Sequence, residues 1–253
     1  MTFNGRHLFV PVRLNDGPEQ MMALDTGCGG GGMIQASEAE RLHLKVVGEI
    51  NAGDPSGRNN QVHKLYLLPK LQIGALTVEN VVLGEAGHPM DDVKSVGVIG
   101  VECYATLLAK IDYPNKILTL SHNKMPSAVA SKATTIRKDF GIYAFDSDVA
   151  GQTVKTHIDT GSGGNILLPQ DIAKRLKATN TPHVVGHGRT PFNSFDIYSV
   201  NVEGTINFAG ITLKDPEIQY ADMFPVMNVG SKFLKDYVIY FDQRSKKLAL
   251  TKE

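Results

Sequence analysis

An Asp-Thr-Gly triplet occurs twice in the chain, at 25–27 and 159–161, and each copy follows an apolar strand end, MMAL before the first and VKTHI before the second. After each comes a glycine-rich stretch (CGGGGMI; SGGNILL) and then a short helix-like run (ASEAERLHL; PQDIAKRLKA). Toward the end of each half an apolar-Gly motif recurs, Val98-Ile99-Gly100 and Asn228-Val229-Gly230, the second with a polar first position. A closing unit follows in both: IDYPNKILTL around Asp112 and YFDQRSKKLAL around Asp242, with Gly100/Gly230, Asp112/Asp242, Leu118/Leu248 and Leu120/Leu250 at one common offset. Self-similarity of this kind constrains the fold more than any single motif. The chain must build one unit twice.

At 253 residues it is long enough for two domains of ordinary size. Boundaries are expected at 1–122 for the Asp25 lobe and 136–253 for the Asp159 lobe, joined by a polar, small, proline-containing linker at 123–135. Glycine is abundant, with 25 residues scattered between short β-prone runs, which indicates a turn-rich β protein. Strands are expected at 7–14, 20–24, 64–68, 76–83, 116–120, 153–158, 198–208, 237–241 and 247–250. Helices are expected to be few: 36–44, 170–176 with Pro169 at the first helical position, and short turns after Gly100 and Gly230.

Lys+Arg and Asp+Glu balance at 26 each, so no net field favours nucleic acid or anionic lipid. No apolar run approaches the roughly 20 residues that cross a bilayer, so no membrane span is expected. The two cysteines, Cys28 and Cys103, are too few for a disulfide framework or a four-cysteine zinc site.

One carboxylate per half, delivered by two pseudo-twofold lobes, places Asp25 and Asp159 together where the lobes meet. Two carboxyls that close cannot both ionise cheaply, so the pair is expected to hold one proton. The ionised member can then take a proton from a water between them, and the protonated member can donate to a carbonyl oxygen under attack. Thr26 and Thr160 suit hydroxyl-to-backbone bonds that lock the two loops, and Gly27 and Gly161 suit turns where a Cβ would clash.

On ALDTG, HIDTG, VIG, NVG and the two closing strand units, the chain resembles a retropepsin-like aspartic protease, specifically the two-lobed bacterial aspartyl protease family. The resemblance implies an all-β fold of two pseudo-twofold related β-barrel lobes with short helices, a monomeric aspartic endopeptidase with Asp25 and Asp159 as its catalytic dyad, and no cofactor or metal. It also implies a hairpin flap from each lobe over an extended peptide or protein substrate. The matching regions are 48–62, with Gly53, Asp54 and Gly57 near its tip, and 184–192, with Gly186, His187 and Gly188. The N-terminus lacks the long apolar core of a signal peptide, so a cytoplasmic protein and one whose leader was removed both stay open; the resemblance to envelope proteases implies the second, with a periplasmic or secreted location.

One departure from the family pattern falls beside the dyad. Ser162 follows the second triplet as usual, whereas Cys28 and a run of glycines follow the first. A hydroxyl donates better than a thiol, so Ser162 is expected to favour the ionised form of Asp159. Other readings compete with the protease. Gly27-x-Gly29-x-x-Gly32 matches a dinucleotide fingerprint formally, but no helix opens after it and βαβ units are missing. His183 and His187 have metal-like spacing without further ligands, and Cys28 lacks a legible His partner. A non-catalytic peptide-binding module on the same scaffold, and a protease restricted to one partner protein, stay open beside the general endopeptidase.

Overall fold

A computed structural model describes residues 1–53, 60–86, 95–139, 141–189 and 194–252. The fold is all-β, with two barrel-like lobes and a shared sheet between them. In the first lobe Leu8–Leu14, Glu19–Leu24, Ser95–Ile99, Gly32–Gln35, Leu76–Ala86 and Gln61–Ile73 pair in that order, and the last pairs back onto Leu8–Leu14, closing a six-stranded barrel. Alternation explains its interior: Leu8, Val10, Val12 and Leu14 point inward along one strand and are buried. The second lobe repeats the plan as an open half-barrel, in which Ser194–Asn201, Glu217–Ala221, Ile166–Pro169, Met227–Gly230, Gln152–Asp159 and Ile142–Val149 are successive neighbours.

Between the lobes lies a five-stranded sheet ordered Ile117–Ser121, Leu108–Asp112, Val238–Asp242, Lys247–Thr251, Thr134–Thr135. The closing units of both halves therefore pair with each other, Ile111 opposite Ile239 and Asp112 opposite Val238. Apolar side chains from both lobes and from this sheet form one continuous core that includes Leu24, Ile111, Ile158, Ile239 and Phe241. The stretch expected as a bare linker carries a helical turn, Ser127–Ala130, and the edge strand Thr134–Thr135, and it buries Met125 against Val238 and Tyr240.

Several expected elements are shorter or divided. The helix begun at Ala36 ends at Arg41, because His43 takes a left-handed conformation (φ 50°) and turns the chain. The second helix spans only Gln170–Ala173, with Pro169 as its N-cap rather than its first helical residue. The run 198–208 is two strands, Ser194–Asn201 and Thr205–Phe208, because Gly204 at φ 119° breaks it. The turns after the two motif glycines are present as a 3-10 turn, Val101–Tyr104, and a helical turn, Ser231–Leu234.

Candidate active site

Two parallel pairings bring the triplets to the interface. Leu24, just before Asp25, lies beside Ile99, and Asp159 lies beside Gly230. The backbone after each motif glycine then turns under the Asp loop through matched bonds. Val101 N and Ser231 N donate to Cys28 O and Ser162 O (3.1 and 2.7 Å), and Glu102 N and Lys232 N donate to Gly30 O and Gly164 O (3.0 and 2.9 Å). No side chain fits at these crossings: a Cβ on Gly100 would stand 2.5 Å from Gly30 O, and one on Gly230 would stand 2.6 Å from Gly164 O.

The two threonines bind the loops reciprocally. Thr26 N donates to Thr160 Oγ1 (3.0 Å) and Thr160 N donates to Thr26 Oγ1 (3.1 Å). Each hydroxyl donates onward across the interface, Thr26 to Ile158 O and Thr160 to Leu24 O, both at 2.6 Å. Both threonines are buried, so every one of these groups depends on its partner. Below them Ser231 Oγ donates to Thr160 O (3.0 Å) and lies 2.7 Å from the Tyr113 hydroxyl, which reaches over from the first half. The counterpart on the other side is Gln243, whose amide donates to Val101 O (2.7 Å).

This lattice sets the carboxyls side by side. Gly27 N donates to Asp25 Oδ1 (2.7 Å) and Gly161 N donates to Asp159 Oδ1 (3.0 Å). Each glycine also faces the opposite carboxyl: a Cβ on Gly27 would stand 2.7 Å from Asp159 Cγ, and one on Gly161 would overlap the Asp25 carboxyl. Glycine is required at both places by close approach rather than by backbone dihedral. Burial, the neighbouring Asp159 charge and a hydrogen bond between the two side chains hold the Asp25 carboxyl well above the usual range.

The surroundings of the two aspartates differ. Asn228 Nδ2 donates to Asp159 Oδ2 (2.6 Å) and also lies 2.9 Å from His157 Nε2, while His157 Nε2 stands 3.8 Å from that same carboxyl oxygen. Burial lowers the His157 pKa despite the adjacent carboxylate, so its imidazole is held neutral. The donor beside Asp159 is thus Asn228 and not Ser162, whose Oγ instead accepts Gly164 N (3.3 Å) inside its own turn. Cys28 and Cys103 are both free. Burial, reinforced by the charges of Asp25 and Asp159, raises the Cys28 pKa so that it remains a thiol, which removes the basis for a nucleophile there.

Both regions expected as flaps contribute strands to antiparallel pairs. Lys45–Ala52 pairs with Gln61–Ile73, and His183–Arg189 pairs with Ser194–Asn201. Gly53 follows the first of these strands; Asp54 and Gly57 lie outside the described residues. Gly186, His187 and Gly188 lie within a strand rather than at a tip: His187 Nδ1 is 2.7 Å from Asp196 Oδ1 in the facing strand, and Gly188 is covered by the ring of Phe195. Sequence reasoning missed Asn228, Tyr113 and Ser231 as members of the site. Only the polar first position of Asn228-Val229-Gly230 signalled one of them. Comparison of the chain with protein-family models and with curated proteins gave no match.

Proposed function

We propose that the protein is an aspartic endopeptidase that hydrolyses peptide bonds with a water activated between Asp25 and Asp159. The observation that carries this reading is the pair itself: two carboxyls from equivalent loops, each against the other's glycine and fixed by reciprocal threonine bonds. In the one-proton state the ionised carboxylate removes a proton from the water as its oxygen attacks the peptide carbonyl carbon. The protonated carboxyl donates to the carbonyl oxygen, giving a neutral tetrahedral diol without a covalent enzyme intermediate. Collapse of that diol breaks the C–N bond and returns a proton to the leaving amine.

Resemblance to retropepsin-like proteases supports the same reading, with the two hairpins acting as flaps over an extended chain held by main-chain hydrogen bonds. Incubation with a diverse peptide mixture from about pH 3 to 8, the range in which a coupled carboxyl pair passes through its one-proton state, tests it. New termini found by mass spectrometry support the endopeptidase. Saturable peptide binding without new termini favours a peptide-binding module on this scaffold, and cleavage of one protein but no free peptide favours a single-partner protease.

A further inference from the structure

The two halves of the site repeat each other closely, which makes one exception informative. Two residues before each aspartate, and paired across the parallel ladder with the first residue of the apolar-Gly motif, the first lobe has Ala23 beside Val98. The second lobe has His157 beside Asn228. All four are buried, so the same place in the fold is filled once by an apolar pair and once by a polar one.

The polar pair is poorly explained by stability. Among the described residues His157 Nδ1 and Asn228 Oδ1 are both buried without a hydrogen-bond partner, which costs folding free energy that the alanine and valine of the first lobe avoid. What the pair does provide is the amide donor at 2.6 Å from Asp159 Oδ2. Among the described residues Asp25 has no matching side-chain donor from its own lobe, since Val98 stands in the equivalent position. A neutral imidazole, with Nε2 unprotonated toward Asn228 Nδ2, fixes which face of the amide meets the carboxylate. An amide turned the other way would place Oδ1 against Asp159 Oδ2, an arrangement that tolerates only a protonated Asp159.

We propose that Asn228, oriented by His157, is the positioning residue that breaks the symmetry of the pair, holding Asp159 ionised and leaving the shared proton on Asp25. Asp159 is then the base toward water and Asp25 the donor to the carbonyl oxygen, so a peptide lies across the cleft with its scissile carbonyl oxygen turned to Asp25. This assignment of acid and base rests on the proposed protease reading; the protonation asymmetry stands without it. Among the described residues, the other groups facing the pair are the Gly27 and Gly161 amides, which donate to it, and the Cys28 thiol and the Tyr104 and Tyr113 hydroxyls, all of which stay protonated.

Carboxyl-carbon NMR of aspartate-labelled protein, titrated in wild type, Asn228→Val and His157→Ala, tests the proposal without an activity assay. In wild type the Asp159 carbon is expected to follow the lower titration step of the pair and the Asp25 carbon the upper one. Asn228→Val, which copies the first lobe, is expected to raise the lower step by about one pH unit or more, on the scale of a lost hydrogen bond to a charged group. His157→Ala should move it the same way by less. An Asp25 carbon that follows the lower step overturns the proposal from wild type alone, whatever the variants do, and so does a lower step unmoved by Asn228→Val. A shifted step in a protein that cleaves nothing would sink the protease reading and leave the asymmetry intact; cleavage with an unmoved step would do the reverse.

Discussion

Two threonine hydroxyls carry the contact between the lobes at the site, because each accepts one backbone N–H and donates to one backbone carbonyl across the interface. Thr26→Val keeps the shape and removes both roles, leaving Thr160 N and Ile158 O buried and unpaired. A loss of about 3 kcal/mol is expected in denaturant unfolding, with Thr26→Ser recovering most of it. Asp25 acts in the opposite sense. Its folded carboxyl titrates above its unfolded one, so as pH rises past about 4 the unfolded state releases its proton first and folding is penalised. Wild type should therefore lose stability relative to Asp25→Asn as pH rises past about 4, with the gap closing at lower pH, as read from unfolding midpoints. The aspartates, threonines and glycines of the triplets were legible because they recur. Asn228 was legible only as a break in a motif, since its partner His157 is 71 residues away in the chain and nothing local joins them.

At the scale of elements, the crossing of each motif glycine beneath its Asp loop is what fixes the triplets. Gly230→Ala would press a methyl group onto Gly164 O and is expected to cost about 3 kcal/mol or more. Gly186→Ala, in the second hairpin, meets nothing within 4 Å and should stay within about 0.5 kcal/mol in the same unfolding assay. Amphipathic or strongly apolar strands such as Leu8–Leu14 and Gln152–Asp159 could be read from alternation and residue type. Lys45–Ala52 and His183–Arg189 could not, because they are hairpin strands with exposed valines and little inward face. The repeat nevertheless reaches them: Val46-Val47-Gly48 and Val184-Val185-Gly186 each carry a register shift at the same point of their hairpin. That correspondence becomes visible only once both strands are placed.

For the whole molecule, the shared sheet decides how the halves behave. The hairpins of the two closing units meet at its centre, where Leu108–Asp112 pairs with Val238–Asp242, and the core runs through both lobes. Thermal unfolding is accordingly expected as one transition, with calorimetric and van't Hoff enthalpies in agreement; two resolved transitions would show lobes that fold separately. The tandem repeat foretold two lobes but not this junction, because identical offsets say that Asp112 and Asp242 are equivalent without saying that their strands pair. The proposed mechanism requires the two aspartates to act together on one water. Its most direct test is peptide cleavage in oxygen-18 water by wild type, Asp25→Asn and Asp159→Asn. One heavy oxygen in each new carboxyl terminus, with cleavage lost by about a thousandfold or more in either variant, is the predicted result. Cleavage that survives either substitution would contradict it.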